Sequence, residues 1–292
     1  MNGYLNILKP PGMSSAAVVA TVKRLTGERR VGHAGTLDPE AAGVLPVMVG
    51  QATRFFDLLT DKEKVYVAEC AFGCETDTQD AQGRVTARGD TYPTLAQIRA
   101  AADALTGDIL QRPGIYSAVK RDGKRLYALA RAGEAVEATP RPVHIERITL
   151  HGETPRHGVM MTVVCGRGTY IRSLCEDLGR LCGCPAHMRF LLRAVSGAFS
   201  LENAMTLEEA AACASNGTLP ERLLPPDMPL GHLAAVRLPE EQWKPARNGV
   251  ALPADDDRPE GEPLRVYAGD AFIGIACREA DLLKWRIVIN ER

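Results

Sequence analysis

The 292-residue sequence lacks most of the features that assign a chain to a class at a glance. No apolar run approaches the roughly 20 residues of a bilayer-spanning helix, and the N-terminus has no basic stretch leading into an apolar one. A helical membrane protein is therefore disfavoured, and a cytoplasmic location is the expectation. The eight cysteines, Cys70, Cys74, Cys165, Cys175, Cys182, Cys184, Cys213 and Cys277, show no Cys-x-x-Cys spacing, and Cys182-Gly-Cys184 is too tight for it. The paired spacing of a structural zinc site is thus missing, and reduced, mostly buried thiols are expected. Gly166-Arg167-Gly168 precedes a helical pattern but lacks the remaining glycine of a dinucleotide fingerprint, so nicotinamide chemistry has weak support. Asp77 and Asp80 lack the flanking ligands of a calcium loop. No repeat or low-complexity tract is present.

Net charge is also lacking: the total is −1. Its distribution carries the information that the sum hides. Residues 111–200 hold 14 basic and 7 acidic side chains, a net of +7, whereas residues 201–292 hold 10 and 16, a net of −6. Phosphates are expected at the middle block. What is present otherwise is ordinary for a globular protein, with 45% hydrophobic and 24% charged residues in a length that suits one large domain and a smaller one.

Hydrophobic periodicity places strands over 4–8, 44–50, 65–72, 143–150, 159–165 and within 183–199, and helices over 15–25, 52–59, 94–105, 169–181 and from 206 to 220. Pro225-Pro226-Asp227-Met228-Pro229 reads as a stiff linker. Strand-like runs at 264–267, 272–277 and 285–289 follow it and make a small β-rich end.

The stretch from Val31 to Val47 organises the rest. It sets Asp38 in a loop between glycines, with Pro39 biasing the aspartate towards an extended backbone, ahead of a buried strand. Taken singly, these residues have ordinary readings: Asp-Pro starts turns, Gly-rich loops turn, and a lone His is a hydrogen-bonded structural residue. Lys9 reads as a solvated turn lysine, Tyr66 as a half-buried strand aromatic and Arg172 as a surface helix residue. The segment 111–131 interleaves Arg112, Lys120, Arg121, Lys124, Arg125 and Arg131 with Tyr116 and Tyr127. That pattern suits either a charged helix face or cations on phosphates with rings on bases.

The strings are more specific than their members. Gly32-His33-Ala34-Gly35-Thr36-Leu37-Asp38-Pro39 with Ala41-Ala42-Gly43-Val44-Leu45 resembles the catalytic-aspartate motif of the TruB family of tRNA pseudouridine synthases. Four more strings are similar to that family in the same order: Leu8-Lys9-Pro10 with Gly12 and Ser14-Ser15; Lys64-x-Tyr66 with Thr76-Asp77-Thr78-x-Asp80; Pro113-Gly114-x-Tyr116-Ser117-Ala118-x-Lys120; and Gly168-Thr169-Tyr170-Ile171-Arg172 followed by Leu191-Leu192-Arg193. Gly114 stands in place of the family's second proline, and Leu192 where an arginine is common.

The resemblance implies an α+β fold with a mixed, largely antiparallel central sheet flanked by helices. It implies a catalytic domain over 1–228 with an RNA-binding insertion about 108–142, and a small PUA-like RNA-binding domain over 229–292. It further implies Asp38 as the catalytic residue, Arg172 as its partner and Tyr66 stacking on the target base and assisting removal of the C5 proton. His33 would guard the space the base vacates, Leu191 would line the pocket, and Lys9 would support the loop. Lys120, Arg121, Lys124 and Arg125 would contact RNA. The partner implied is the T-arm of tRNA, modified at position 55 in tRNA counting, by a monomer with no guide RNA, no metal and no cofactor. Two other readings stay open: a non-catalytic T-arm binder or folding chaperone, and a relative acting on another RNA or within a guide-RNA complex.

Overall fold

The computed structural model describes residues 1–59, 63–116, 120, 121, 124, 125, 138–254 and 259–289. Two sheets organise it. The larger has nine strands among the described residues, in the order β1 (Gly3–Lys9), β3 (Ala42–Val49), β12 (Ala186–Ser196), β4 (Lys64–Phe72), β11 (Gly158–Cys165), β10 (Arg141–Thr154) and β7 (Gly107–Gln111). Two short strands attach to it, β2 (Val31–His33) to β3 and β13 (Phe199–Ser200) to β12. Its pairings are antiparallel except at β3–β12, which run parallel over Leu192↔Ala42 and Arg193↔Gly43 alone. β1 and β3 are buried on both faces, which is why they read as continuous apolar runs rather than alternating ones.

Helices cover this sheet. Helix α1 (Ser15–Thr26) starts at Ser14, whose hydroxyl accepts from the Ala17 N–H, and ends at Gly27 in the left-handed region. Helix α3 (Leu95–Ala104) begins in a capping box of Thr94 and Gln97. Helix α4 (Ile171–Leu181) buries Leu174, Cys175 and Leu178 against the sheet. The helix expected over 52–59 is a 3-10 segment, Gly50–Phe55, running into one turn of α2 (Phe56–Leu59). The helix expected from 206 to 220 stops earlier: α5 (Leu207–Ser215) is followed by Gly217 at φ +74, and a separate 3-10 turn covers Leu219–Arg222. Periodicity missed the hairpin of β5 (Cys74–Thr76) and β6 (Val85–Arg88), edge strand β7 and helix α6 (Glu240–Arg247), all of them short or polar.

The second sheet, β14 (Ala235–Leu238), β16 (Pro263–Ala268), β17 (Ala271–Glu279), β18 (Leu282–Val288) and β15 (Leu252–Pro253), makes the β-rich C-terminal domain. The three strand-like runs expected beyond residue 229 fall on β16, β17 and β18. A shared apolar cluster joins the sheets: Tyr4, Val44, Phe55 and Leu230 pack with Ile275 and Ile289, and the rings of Phe55 and Phe272 lie 5.8 Å apart. Arg54 Nη1 donates to Val288 O at 2.7 Å. All eight cysteines are free, and no helix among the described residues is long and apolar enough to cross a membrane.

Candidate active site

Asp38 sits where β2 has ended and β3 has yet to begin, above the only parallel contact of the large sheet among the described residues. Its loop is fastened from below. Ser15 turns inward: its hydroxyl accepts from Leu37 N–H at 2.9 Å and donates to Leu37 O at 3.0 Å. Lys9 is fully buried at the end of β1. Its ammonium donates to Pro10 O, Met13 O and Pro39 O at 2.8, 2.6 and 2.8 Å. The solvated turn lysine suggested by the residue alone is therefore replaced by a clamp on the carbonyl next to Asp38. Burial lowers its pKa to about 8, against the opposing pull of Glu40 and Asp38.

Arg172, from the first turn of α4, reaches Asp38 in bidentate fashion, Nε to Oδ2 at 2.9 Å and Nη2 to Oδ1 at 3.1 Å. The same guanidinium donates to Thr78 O at 3.1 Å and Tyr116 O at 3.2 Å, so three loops meet on one side chain. Arg172 is 6% exposed while the Asp38 side chain keeps 32%. The cation is thus sealed in and the carboxylate faces outward. A surface reading of Arg172 does not survive this placement.

The entry of α4 is set by Gln111 at the end of β7. Its side-chain amide accepts from Tyr170 N–H at 2.7 Å and donates to Tyr170 O at 3.1 Å, two residues before Arg172. Ser173 donates to Gln79 Oε1 at 3.1 Å, and Gln79 Nε2 donates to Glu176. These contacts also account for Gly114: a Cβ there would stand 2.4 Å from Gln79 Oε1, so the proline of the resembled motif has no room. Asp77 and Asp80 order their own loop. Asp77 accepts from Arg84, and Asp80 from Thr78 Oγ1 at 2.6 Å and Gln82 N–H at 3.0 Å. No group of three or more metal-ligating side chains occurs among the described residues.

Tyr66 lies on β4, almost fully buried, in one apolar cluster with Leu37 and Leu191. Burial pushes its phenol pKa up; the Arg193 guanidinium pulls it down, and the Asp38 charge adds to the rise. His33 is half-buried at the end of β2, opposite Val47, at the entrance to the loop. Of the basic insertion, the backbone of Lys120–Arg121 pairs with that of Lys124–Arg125 as β8 and β9. The side chains of these four, with Tyr127 and Arg131, lie outside the described residues.

Sequence reasoning therefore brought Lys9, Asp38, Tyr66 and Arg172 to one place and missed Ser15, Gln79, Gln111 and Arg193 as its supports. Each missed residue acts through backbone far away in sequence, and only the Ser-Ser and Leu-Leu-Arg strings hinted at two of them.

Comparison with known proteins gives the chain its relatives. The family model described as TruB family pseudouridylate synthase (N terminal domain) matches residues 23–171, and that described as tRNA pseudouridylate synthase B C-terminal domain matches residues 172–231. A protein of Moorella thermoacetica named tRNA pseudouridine synthase B is 44% identical over 291 residues, covering 96% of this chain and 94% of its own length. One of the same name from Alkaliphilus oremlandii is 41% identical over 282 residues, covering 94% and 92%. Among solved structures, a chain in the crystal structure of a Cbf5-Nop10-Gar1 complex superposes with a TM-score of 0.73 at 25% identity, over 98% of this chain and 84% of its own.

Proposed function

We propose that this chain, which belongs to the TruB family of pseudouridylate synthases, isomerises the T-loop uridine of tRNA, position 55, to pseudouridine with Asp38 as the acting carboxylate. The observation that carries the reading is the Asp38–Arg172 pair, in which one sealed guanidinium holds both oxygens of a carboxylate that stays partly open to solvent.

The reaction breaks the N1–C1′ bond of the uridine, turns the base and rejoins it through C5, releasing the C5 proton. Atoms balance within the substrate, so the chemistry asks for no redox partner. The uridine is stacked in a folded loop and has to swing out first, at a cost of about a few kcal/mol. Cations along the backbone offset that cost, and Lys120, Arg121, Lys124 and Arg125 are proposed for this role. A carboxylate must then meet the ribose, whether it attacks C1′ or removes the C2′ proton, and Arg172 fixes the direction in which Asp38 presents its oxygens. Tyr66 offers a ring to the freed base, with Leu191 beside it in the same apolar wall, and His33 guards the vacated space. In this proposal Lys9 supports the loop, residues 229–292 act as a PUA-like RNA-binding end beyond a catalytic domain over 1–228, and the enzyme works as a cytoplasmic monomer without guide RNA.

Incubation with an unmodified tRNA transcript, followed by pseudouridine mapping, tests the reading. Wild-type protein is expected to modify the T-loop uridine, and Asp38→Asn to lower the rate about 1,000-fold or more while still binding tRNA within a few-fold. Absence of product with wild type, with binding intact, would assign the chain to the non-catalytic T-arm binders instead. Changing Lys120, Arg121, Lys124 and Arg125 together to Ala is expected to weaken binding and flatten its salt dependence; an unaltered affinity and slope would remove the insertion from the interface.

A further inference from the structure

Arg193 is among the largest fully buried side chains, at 1% exposure. It lies on β12 at the single point where that strand runs parallel to β3 among the described residues, beside Gly43. The approach is so close that a Cβ on Gly43 would stand 2.3 Å from Arg193 O, at a φ of +115 that only glycine adopts without strain. On its other side, across the antiparallel ladder, Arg193 faces Tyr66 directly.

Its guanidinium donates to Val44 O at 2.8 Å through Nε, to Gly35 O at 3.1 Å through Nη2 and to Thr36 O at 3.4 Å through Nη1. Two of these carbonyls precede Asp38 and one follows it, so the fork closes the base of the loop from both ends. The same cation pulls the Tyr66 phenol pKa down, against the larger effect of burial. Burying a guanidinium is costly unless its N–H groups find partners, and apolar side chains of similar volume stabilise a core at least as well. A cation at this point therefore asks for a role other than packing. Lys9 does not duplicate it: its three acceptors, Pro10, Met13 and Pro39, lie on the α1 side of the loop.

We propose that Arg193 is a positioning residue that locks the Asp38 loop to the strand carrying Tyr66, so that the carboxylate facing the ribose and the ring facing the base share one anchor. The inference rests on the isomerase reading above. It has a chemical motive, since the base leaves the sugar, turns and rejoins it, and the groups on the two sides must keep their spacing while it does. A misplacement of about 1 Å costs on the order of 100-fold in rate.

The test uses the full chain and tRNA labelled with tritium at uridine C5, with release measured in a single turnover at saturating enzyme. Arg193→Lys keeps the charge but not the fork; Arg193→Gln removes the charge. Both are expected to slow release by about 10- to 100-fold while the Kd for tRNA stays within about twofold. Combined with Tyr66→Phe, Arg193→Lys is expected to cost clearly less than it does alone, because the two residues face each other across the β12–β4 ladder and act on one alignment. Release within twofold of wild type in either folded variant overturns the role, as does a rate loss matched by a loss of tRNA affinity, or strict multiplicativity with Tyr66→Phe. Failure of both variants to give a cooperative melt assigns Arg193 to folding and overturns it too. Failure of the isomerase reading shows separately, as absence of tritium release from the wild type.

Discussion

The two sheets of this protein treat charge in opposite ways. In and against the nine-stranded sheet, Lys9, Arg193 and the helix residue Arg172 are 0%, 1% and 6% exposed, and each makes three or more hydrogen bonds. Most of their acceptors are backbone carbonyls, and each of the three reaches the Asp38 loop. The ion pairs of the five-stranded sheet face water: Arg237 pairs with Asp270 and Lys284 with Glu279, every member more than half exposed. Exposed pairs contribute little because solvent screens them and two long side chains must be ordered. Buried cations are tolerated only when each N–H is satisfied, and their removal orphans the groups they held. The contrast locates function: charge in the first sheet is committed to geometry, and in the second it remains free for solubility or for a polyanion.

The sharpest way to break the comparison is at Arg172. Arg172→Leu strips Asp38 of both donors and leaves the Thr78 and Tyr116 carbonyls without theirs. A fall of about 100-fold or more in single-turnover pseudouridine formation is expected, with tRNA still bound. A rate within threefold of wild type would reduce the pair to a structural accessory.

A smaller effect is expected at Lys9, and its sign can be worked out. Burial lowers its pKa from 10.5 to about 8, so the ammonium is lost as pH rises through about 8, leaving two N–H donors for three carbonyls. The unfolded chain keeps that proton up to 10.5. Between these values the unfolded state binds more protons, and this group favours folding increasingly as pH rises. Activity is therefore expected to decline above about pH 8 without a matching fall in melting temperature from Lys9. Lys9→Met, which cannot titrate, is expected to show a lower plateau without that limb; a limb of the same position in the variant would assign it to another group.

The smallest effect belongs to the second sheet. Lys284→Ala breaks the ion pair with Glu279 and is expected to leave the melting temperature and the rate unchanged. A change of more than twofold in tRNA affinity would sharpen the comparison differently, by showing that surface charge on this sheet is used in binding.

Much of the fold was legible in advance. β1, β3, β4, β10, β11 and the three long C-terminal strands followed from apolar patterning, and α1, α3 and the start of α5 from amphipathic runs. β5, β6 and β7 were not, since strands of three to five residues with polar members carry no period that separates them from loops. At the site, Asp38 stood out through its string, whereas Arg193 looked like one more member of a basic rim. Ser15 and Ser14 were equivalent as caps on paper, and only the loop overhead made one of them face inward. Gly114 was visible as a departure from a motif, but its cause, the Gln79 side chain, lies on another loop.

Caps, strand periods and the Asp-Pro turn depend on atoms within a few residues of one another, so the order of residues was enough to determine them and to single out Asp38 as a candidate. Which cation meets which oxygen was decided only by folding, because the partners are far apart along the chain: 134 residues between Arg172 and Asp38, 158 between Arg193 and Gly35. A buried charge is stable only where several such distant groups converge on it, and convergence of that kind is a property of packed strands and loops in three dimensions.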